Sequence, residues 1–213
     1  MIPKIIHQTY KNHDLPETYA LCQQQIKTLH SNFEYRFYTD EDIDTFMKTE
    51  FSEYYEAFNK LPRMIMKIDM FRYFLMYSIG GLYIDMDYYM IRTFDLLDYS
   101  VVIPCNRENN GLPECLGNCI FASEPHNPFW KTLIDTIFID RKINDNVIES
   151  TGPAFVYRMW NNYAARENIY IPTRALFHPP TNRNPEYIAK LTRENVYGMH
   201  LCSGLWLKPE LNL

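Results

Sequence analysis

Lys67–Met90, KIDMFRYFLMYSIGGLYIDMDYYM, decides the fold. From Met64 to Ile79 most residues are apolar, with Pro62 just upstream, so the stretch reads as a helix inside a core rather than on its surface. It nevertheless carries Asp69 and Arg72, three residues apart and so on one helix face. Gly80–Gly81 breaks the helix. Leu82, Ile84 and Met86 then alternate with Tyr83, Asp85 and Asp87, which in an extended strand puts both carboxylates on the same side. Two like charges held near a core are costly unless something positive lies between them, and a divalent cation answers that need.

Each part has an ordinary explanation when taken alone. Asp69 and Arg72 make a structural ion pair at i, i+3, and Asp-x-Asp triplets recur in solvated loops. The ordered assembly carries the functional reading: buried helix with Asp-x-x-Arg, then Gly-Gly, then an aromatic strand, then Asp-Met-Asp.

DMFRYFLMYSIGGLYIDMD resembles the signature of sugar transferases that contain a DXD motif. This family includes fungal Golgi mannosyltransferases, bacterial capsule and lipooligosaccharide transferases and, more distantly, clostridial glucosylating toxins. The opening IPKIIHQTY resembles the family's first strand, although Tyr10 stands where Trp is usual. Thr151-Gly152-Pro153 and a late His200…Trp206 segment follow in the expected order. The resemblance implies one α/β domain over residues 1–213, GT-A-like and nucleotide-sugar-binding, with a mostly parallel central sheet and helices on both faces.

It also implies roles. Asp87 is the direct metal ligand, with His200 as its partner, and Asp85 holds the ribose and a metal-bound water. Asp69 and Arg72 read the donor sugar and phosphate, His7, Gln8, Thr9 and Tyr10 border the nucleotide, and Asn118 lies beside the donor sugar. Ser203 and Trp206 close over the leaving group. Carboxylates suit Mg²⁺ or Mn²⁺, and the imidazole favours Mn²⁺. The expected reaction is metal-dependent hexosyl transfer from a nucleotide diphosphate sugar to a glycan hydroxyl. UDP-glucose is favoured as donor over GDP-mannose, and retention is expected because no further carboxylate is marked as a base.

Composition narrows the alternatives. At 213 residues the chain supports one substantial core, and 46% hydrophobic content argues against disorder. A net charge of −5 disfavours a nucleic-acid surface, and no apolar run is long enough for a membrane span. Without a visible leader the expected location is cytoplasmic. Tyr/Asn-rich composition suggests a virus-encoded member, similar to an N-terminal domain of a chlorella-virus glycosyltransferase, in the host cytoplasm. Five cysteines suggest free thiols, and the spacing of Cys105, Cys115, Cys119 and His126 fits no zinc module well.

Around the central stretch, the pattern predicts strands at Lys4–Gln8, Phe33–Tyr38 and Val101–Pro104, and strand character over Ile169–His178. Helices are expected from Pro16 to Leu29, after Thr39, over Ser52–Lys60, Pro128–Ile139 and Ala154–Ala164. Arg107–Gly117 reads as a polar loop that contacts the acceptor. Two other enzyme classes fit less well. A phosphohydrolase usually wants Thr or Val where Tyr89 stands, and glycosidase carboxylates must straddle a bond, for which Asp85 and Asp87 are too close. An inert glycan- or nucleotide-binding module is the non-enzyme alternative.

Overall fold

The computed structural model describes residues 1–140, 143–182 and 184–202, with the side chain of Asp140 left out. Its centre is the expected helix, Met64–Ser78. Every residue from Asp69 to Met76 in it is buried, the mark of a helix packed on several sides at once. Gly80, at φ 69°, ends it and donates its N–H to the Leu75 carbonyl 3.0 Å away.

The strand Gly81–Ile84 leaves that glycine pair and runs through the middle of a six-stranded sheet. In sequence order the sheet's strands are β1 (Ile5–Thr9), β2 (Glu34–Tyr38), β3 (Gly81–Ile84), β5 (Val101–Val102), β8 (Ile120–Ser123) and β9 (Ile169–Tyr170). In space their order is β2-β1-β3-β8-β5-β9. The β1–β2, β1–β3 and β5–β9 pairings are parallel, while β8 runs antiparallel to both β3 and β5. The sheet is therefore mixed and mostly parallel.

Its two faces are covered by different elements, as a parallel-rich sheet requires. Tyr83, Phe121 and Val101 face a core made with Met64–Ser78 (α4), Pro128–Asp140 (α5) and Pro153–Asn161 (α7). Leu82, Ile84, Ala122 and Val102 face the other core, with Ile26 of Glu17–Leu29 (α1) and with Phe94 and Phe177. The alternation of the notable residues along β3 is thus the expected strand period. Helix α2 (Asp40–Glu50) begins at the expected cap: Thr39 accepts from the Asp42 N–H, and Asp42 accepts back from Thr39. Helix α3 spans Ser52–Asn59.

Three expectations need correction. Asp85 and Asp87 are not on a strand face, because β3 ends at Ile84 and a turn follows, closed by Tyr88 N–H to the Asp85 carbonyl at 3.1 Å. The polar segment Arg107–Gly117 lies mostly in a hairpin of β6 (Cys105–Asn109) and β7 (Leu112–Leu116), turned by Asn110 and Gly111, both at positive φ. Ile169–His178 is strand only at β9, and Arg174–Phe177 coils into the short helix α8.

The strand directions put the C-terminal ends of β1, β2, β3, β5 and β9 and the N-terminal end of β8 at one edge of the sheet. A second, two-stranded pairing stands there: β4 (Tyr88–Met90) runs antiparallel to β10 (Gly198–His200), with His200 opposite Tyr88. Helix α6 (Val147–Ser150) precedes α7, and α9 (Pro185–Arg193) precedes β10. Among the described residues the cysteines are free. No helix described is long and apolar enough to cross a membrane.

The glycine pair permits the close approach of α4 and β3 to their neighbours. Gly81 sits at φ 95°, and a Cβ on it would lie 2.6 Å from the Ile5 carbonyl oxygen. Gly81→Ala therefore combines left-handed strain with a backbone clash. A loss of about 2 kcal/mol or more is expected, lowering the midpoint of thermal unfolding by about 4–8 °C. Calorimetry checks this, and an unchanged midpoint would show that β1 and β3 can part without cost.

Candidate metal and nucleotide-sugar site

The helix α4 delivers Asp69 and Arg72 to the sheet edge from below, fully within the core. Arg72 is 6% exposed and its guanidinium is shared. Nη2 donates to Asp85 Oδ1 at 3.1 Å, and Nη1 donates to the Asn118 carbonyl at 2.6 Å and lies 3.5 Å from Asp69 Oδ1. Its plane also lies 4.8 Å from the centre of the Tyr83 ring. One cation thus ties together the end of β3, the entry to β8 and its own helix.

Asp69 accepts from Asn118 Nδ2 and from Thr151 Oγ1, each at 2.8 Å. Burial pushes its carboxyl up to about 7, against the pull of Arg72 and these hydrogen bonds. Asp85 receives Tyr83 Oη at 2.9 Å as well as Arg72, and its backbone N–H donates to the Cys119 carbonyl at 2.7 Å. Desolvation raises Asp85 too, more than Arg72 lowers it.

His200 reaches this group from the opposite end of the chain. The β10 strand carries it to within 2.9 Å of Asp87 Oδ1 through Nε2, and Leu201 N–H donates to the Asp87 carbonyl at 2.8 Å. Its ring lies nearly parallel to that of Tyr88, 6.4 Å away. Burial disfavours the imidazolium, but the Cys119 thiol group and the Asp87 carboxylate favour it, and the net direction is upward. The ionised partner at 2.9 Å is the cause that carries this direction.

Asp85, Asp87 and His200 each offer one ligand atom, and these atoms all lie within 4.8 Å of one another. The fit to a divalent cation is chemical as well as geometric. Two carboxylates converge, one of them already sharing a cation with a second acid, and an imidazole supplies a nitrogen donor.

The remaining expected residues divide. Gln8 donates to the Asp85 carbonyl at 3.3 Å and accepts from Tyr35 Oη at 2.9 Å, so it braces the turn. Thr9 Oγ1 is 3.0 Å from Tyr83 Oη, behind Asp85. His7 is fully buried, with Nδ1 3.1 Å from Tyr38 Oη and Nε2 2.9 Å from the Gly80 carbonyl. Burial lowers it to about 4, which keeps it neutral. Tyr10 is half-buried and packs edge-on to Tyr19. Asn118 is half-buried between Asp69, Arg72 and Tyr73. Ser203 and Trp206 lie outside the described residues.

Sequence reasoning did not single out Tyr73, Tyr83 or Thr151 as parts of this group. Their hydroxyls touch Asn118, Asp85 and Asp69 respectively. The available signal was a tyrosine or threonine next to each marked residue: Tyr73 follows Arg72, Tyr83 precedes Asp85 by two, and Thr151 opens the Thr-Gly-Pro turn.

Residues 16–103 match the family described as glycosyltransferase sugar-binding region containing DXD motif. The chain is 33% identical over 172 residues to the mannosyl phosphorylinositol ceramide synthase CSH1 of Saccharomyces cerevisiae, covering 79% of this chain and 45% of that protein. It is 31% identical over 167 residues to inositol phosphoceramide mannosyltransferase 2 of Schizosaccharomyces pombe, covering 76% and 47%. It thus spans about half the length of the curated relatives it matches. Among solved structures, PaToxG glycosyltransferase superposes with a TM-score of 0.59 at 17% identity, over 77% of this chain and 70% of that one, a likeness of fold.

Mn²⁺ at a hundredfold excess over its dissociation constant is expected to stabilise the protein by about 2.7 kcal/mol. Asp87→Asn is expected to abolish that stabilisation while the metal-free midpoint moves little. Thermal unfolding with and without Mn²⁺ measures both. Equal stabilisation of the variant would remove Asp87 from the ligand set.

Proposed function

We propose that this chain is a metal-dependent glycosyltransferase that moves a hexosyl group from a nucleotide diphosphate sugar to a hydroxyl acceptor. The observation that carries the reading is the convergence of Asp85, Asp87 and His200 beside Arg72 at the C-terminal edge of the sheet. Ligands of open α/β sheets bind at that edge.

Asp87 and His200, with Asp85, would hold Mn²⁺ or Mg²⁺. Such an ion supplies stabilisation of the charge that develops on a departing diphosphate. Arg72 keeps the Asp85 carboxylate aimed and adds positive charge behind the diphosphate side. Asn118 borders the sugar of the donor. The hairpin β6–β7 leaves β5 and returns to β8 at this same edge, which makes it the element to meet the acceptor.

Similarity to two mannosyltransferases supports a mannosyl donor such as GDP-mannose as the first candidate, ahead of the UDP-glucose expected from sequence. An inositol-containing phospholipid headgroup is the acceptor class those relatives suggest. Retention of anomeric configuration is supported by the surroundings of Glu108, Glu114 and Glu124, the glutamates that flank Asn118 in sequence. Glu114 pairs with Arg107 on the hairpin, Glu124 pairs with the N-terminal amine, and Glu108 is exposed on β6. An inverting reaction needs a carboxylate or histidine beside the acceptor hydroxyl as a base.

The test is nucleotide release from a panel of nucleotide sugars, with and without Mn²⁺, followed by NMR of the product's anomeric proton. GDP-mannose is expected to be turned over fastest, only with metal, and with retention. Metal-independent release refutes the transferase reading, UDP-glucose ranking first restores the other donor, and an inverted product requires a base.

A further inference from the structure

Asp69, Asn118, Tyr73 and Thr151 form a closed ring of hydrogen bonds under the site. Asp69 Oδ1 lies 2.8 Å from one end of the Asn118 amide, and the other end lies 3.0 Å from Tyr73 Oη. Tyr73 Oη lies 2.5 Å from the Thr151 carbonyl, and Thr151 Oγ1 lies 2.8 Å from Asp69 Oδ2. Each contact needs one proton, so the protons can be counted.

The Thr151 carbonyl only accepts, so the single Tyr73 proton belongs to that contact. The Tyr73 oxygen must then receive a proton from Asn118, which requires the amide nitrogen to face Tyr73. As drawn, the structure points the nitrogen at Asp69 and has Tyr73 donating to the amide oxygen, but which end of an amide is which is assigned from its partners, and the proton count requires the reverse. With nitrogen toward Tyr73, the amide oxygen faces Asp69 Oδ1, and that contact holds only if the carboxyl brings a proton. Thr151 gives its own proton to Asp69 Oδ2, since its other acceptor, the Val147 carbonyl, is 3.5 Å away. With Asp69 ionised the amide turns to donate to it, and the Tyr73 and Asn118 oxygens face each other while the Tyr73 proton is spent elsewhere.

The charge count points the same way. The charged groups facing Asp69 are Arg72 from its own helix and Asp85 from the end of β3. Asn118 and Thr151, from the entries to β8 and α7, are neutral. From α6 and α7, Glu149 and Arg158 pair with each other at the surface. One guanidinium therefore serves two carboxyls, and it is nearer to Asp85, 3.1 Å against 3.5 Å. Burying a second carboxylate beside that pair is costly, whereas a neutral acid is not. The elevated titration of Asp69 agrees.

We propose that Tyr73 and Thr151 are positioning residues of this ring: Tyr73, by orienting the Asn118 amide, holds Asp69 as the neutral acid and fixes which end of the amide faces the donor pocket, while Thr151, by donating to Asp69 Oδ2, anchors the carboxyl and works against its protonation. The donor-pocket part rests on the transferase reading above; the ring and its proton do not. Tyr73 and Thr151 touch no reacting atom in this scheme and act through Asp69 and Asn118.

The two residues should act in opposite directions on Asp69. Without the Tyr73 hydroxyl, the amide is free to turn its nitrogen toward the carboxylate, which favours ionisation. Without the Thr151 hydroxyl, the carboxylate loses a donor, which disfavours it. Loss of packing alone would not give opposite signs.

The experiment follows the carboxyl carbon of Asp69 by NMR in protein labelled at aspartate Cγ, between pH 5 and 9, with Asp69→Asn to assign the signal. The wild-type midpoint is expected near 7. Tyr73→Phe should lower it and Thr151→Val should raise it, each by about one pH unit, a tenfold change in the protonation equilibrium. Circular dichroism confirms that both variants fold; should one fail to, Tyr73→Phe alone, which keeps the ring packed on Trp130, decides by its sign. An Asp69 ionised throughout the range, an unmoved midpoint, or shifts of the same sign in both variants overturn the proposal. In the nucleotide-sugar assay both variants should raise the donor KM about tenfold with kcat little changed, the size of one hydrogen bond to a well-placed partner. Unchanged KM with shifted midpoints overturns the link to the donor pocket. If wild-type protein shows no transfer, the transferase reading falls and the carboxyl titration still decides the ring.

Discussion

The guanidinium of Arg72 is the constraint on which the site depends. It is buried, and it holds Asp85, Asn118 and Asp69 at once from a helix that is core on nearly every side. A charge so placed tolerates little movement, because each partner lost leaves an uncompensated ion in a medium that solvates it poorly. The helix is therefore locked in rotation and in depth. The glycine pair that ends it then sets where β3 begins, and four residues later the turn with the two aspartates must fall at the sheet edge. Lysine would not serve, since a point charge cannot present separate donors to three groups in one plane.

Much of this was legible in the sequence, for identifiable reasons. The unbroken apolar run with one acid and one arginine three residues apart is a local pattern. So are the Gly-Gly break and the alternation of β3, and these placed Asp69 and Arg72 on one face of a buried helix that leads into the central strand. The error at Asp85–Asp87 came from carrying the strand period three residues too far. Met86 continues the apolar alternation, yet the chain turns there, and only the long-range pairing of β4 with β10 explains why. The hairpin over Cys105–Leu116 was missed because β6 is polar after Cys105 and β7 is interrupted by Pro113 and Glu114, so neither strand shows a hydrophobic period; the Asn110–Gly111 turn was the usable signal.

His7 shows the opposite limit. Its place at the end of a buried strand made it a candidate for ligand contact, and the structure gives both its nitrogens to Tyr38 and the Gly80 carbonyl. The sequence could not distinguish these outcomes, because a histidine at a strand end satisfies the same pattern whether it faces the cleft or the next strand. What decides is the approach of Gly81, whose missing Cβ leaves room for the imidazole: a methyl there would come within 3.2 Å of Nε2. His7 and the glycine pair are thus one device, and it positions β3 against β1.

The metal-type cluster joins parts far apart in the chain, since Asp87 and His200 are 113 positions apart. Locally, His200 has Cys202 Sγ 3.4 Å from its Nδ1. It is held by three backbone-paired residues of β10, by the Leu201 N–H to the Asp87 carbonyl, and by the ring of Tyr88 beside it. Arg72, by contrast, holds Asp85 from within the core. The two halves of the cluster are therefore held by different means: Asp85 is fixed by an arginine of the core helix, and Asp87 shares a paired ribbon with its imidazole. A cation between them would tie the carboxylate that Arg72 fixes to the ribbon that carries His200.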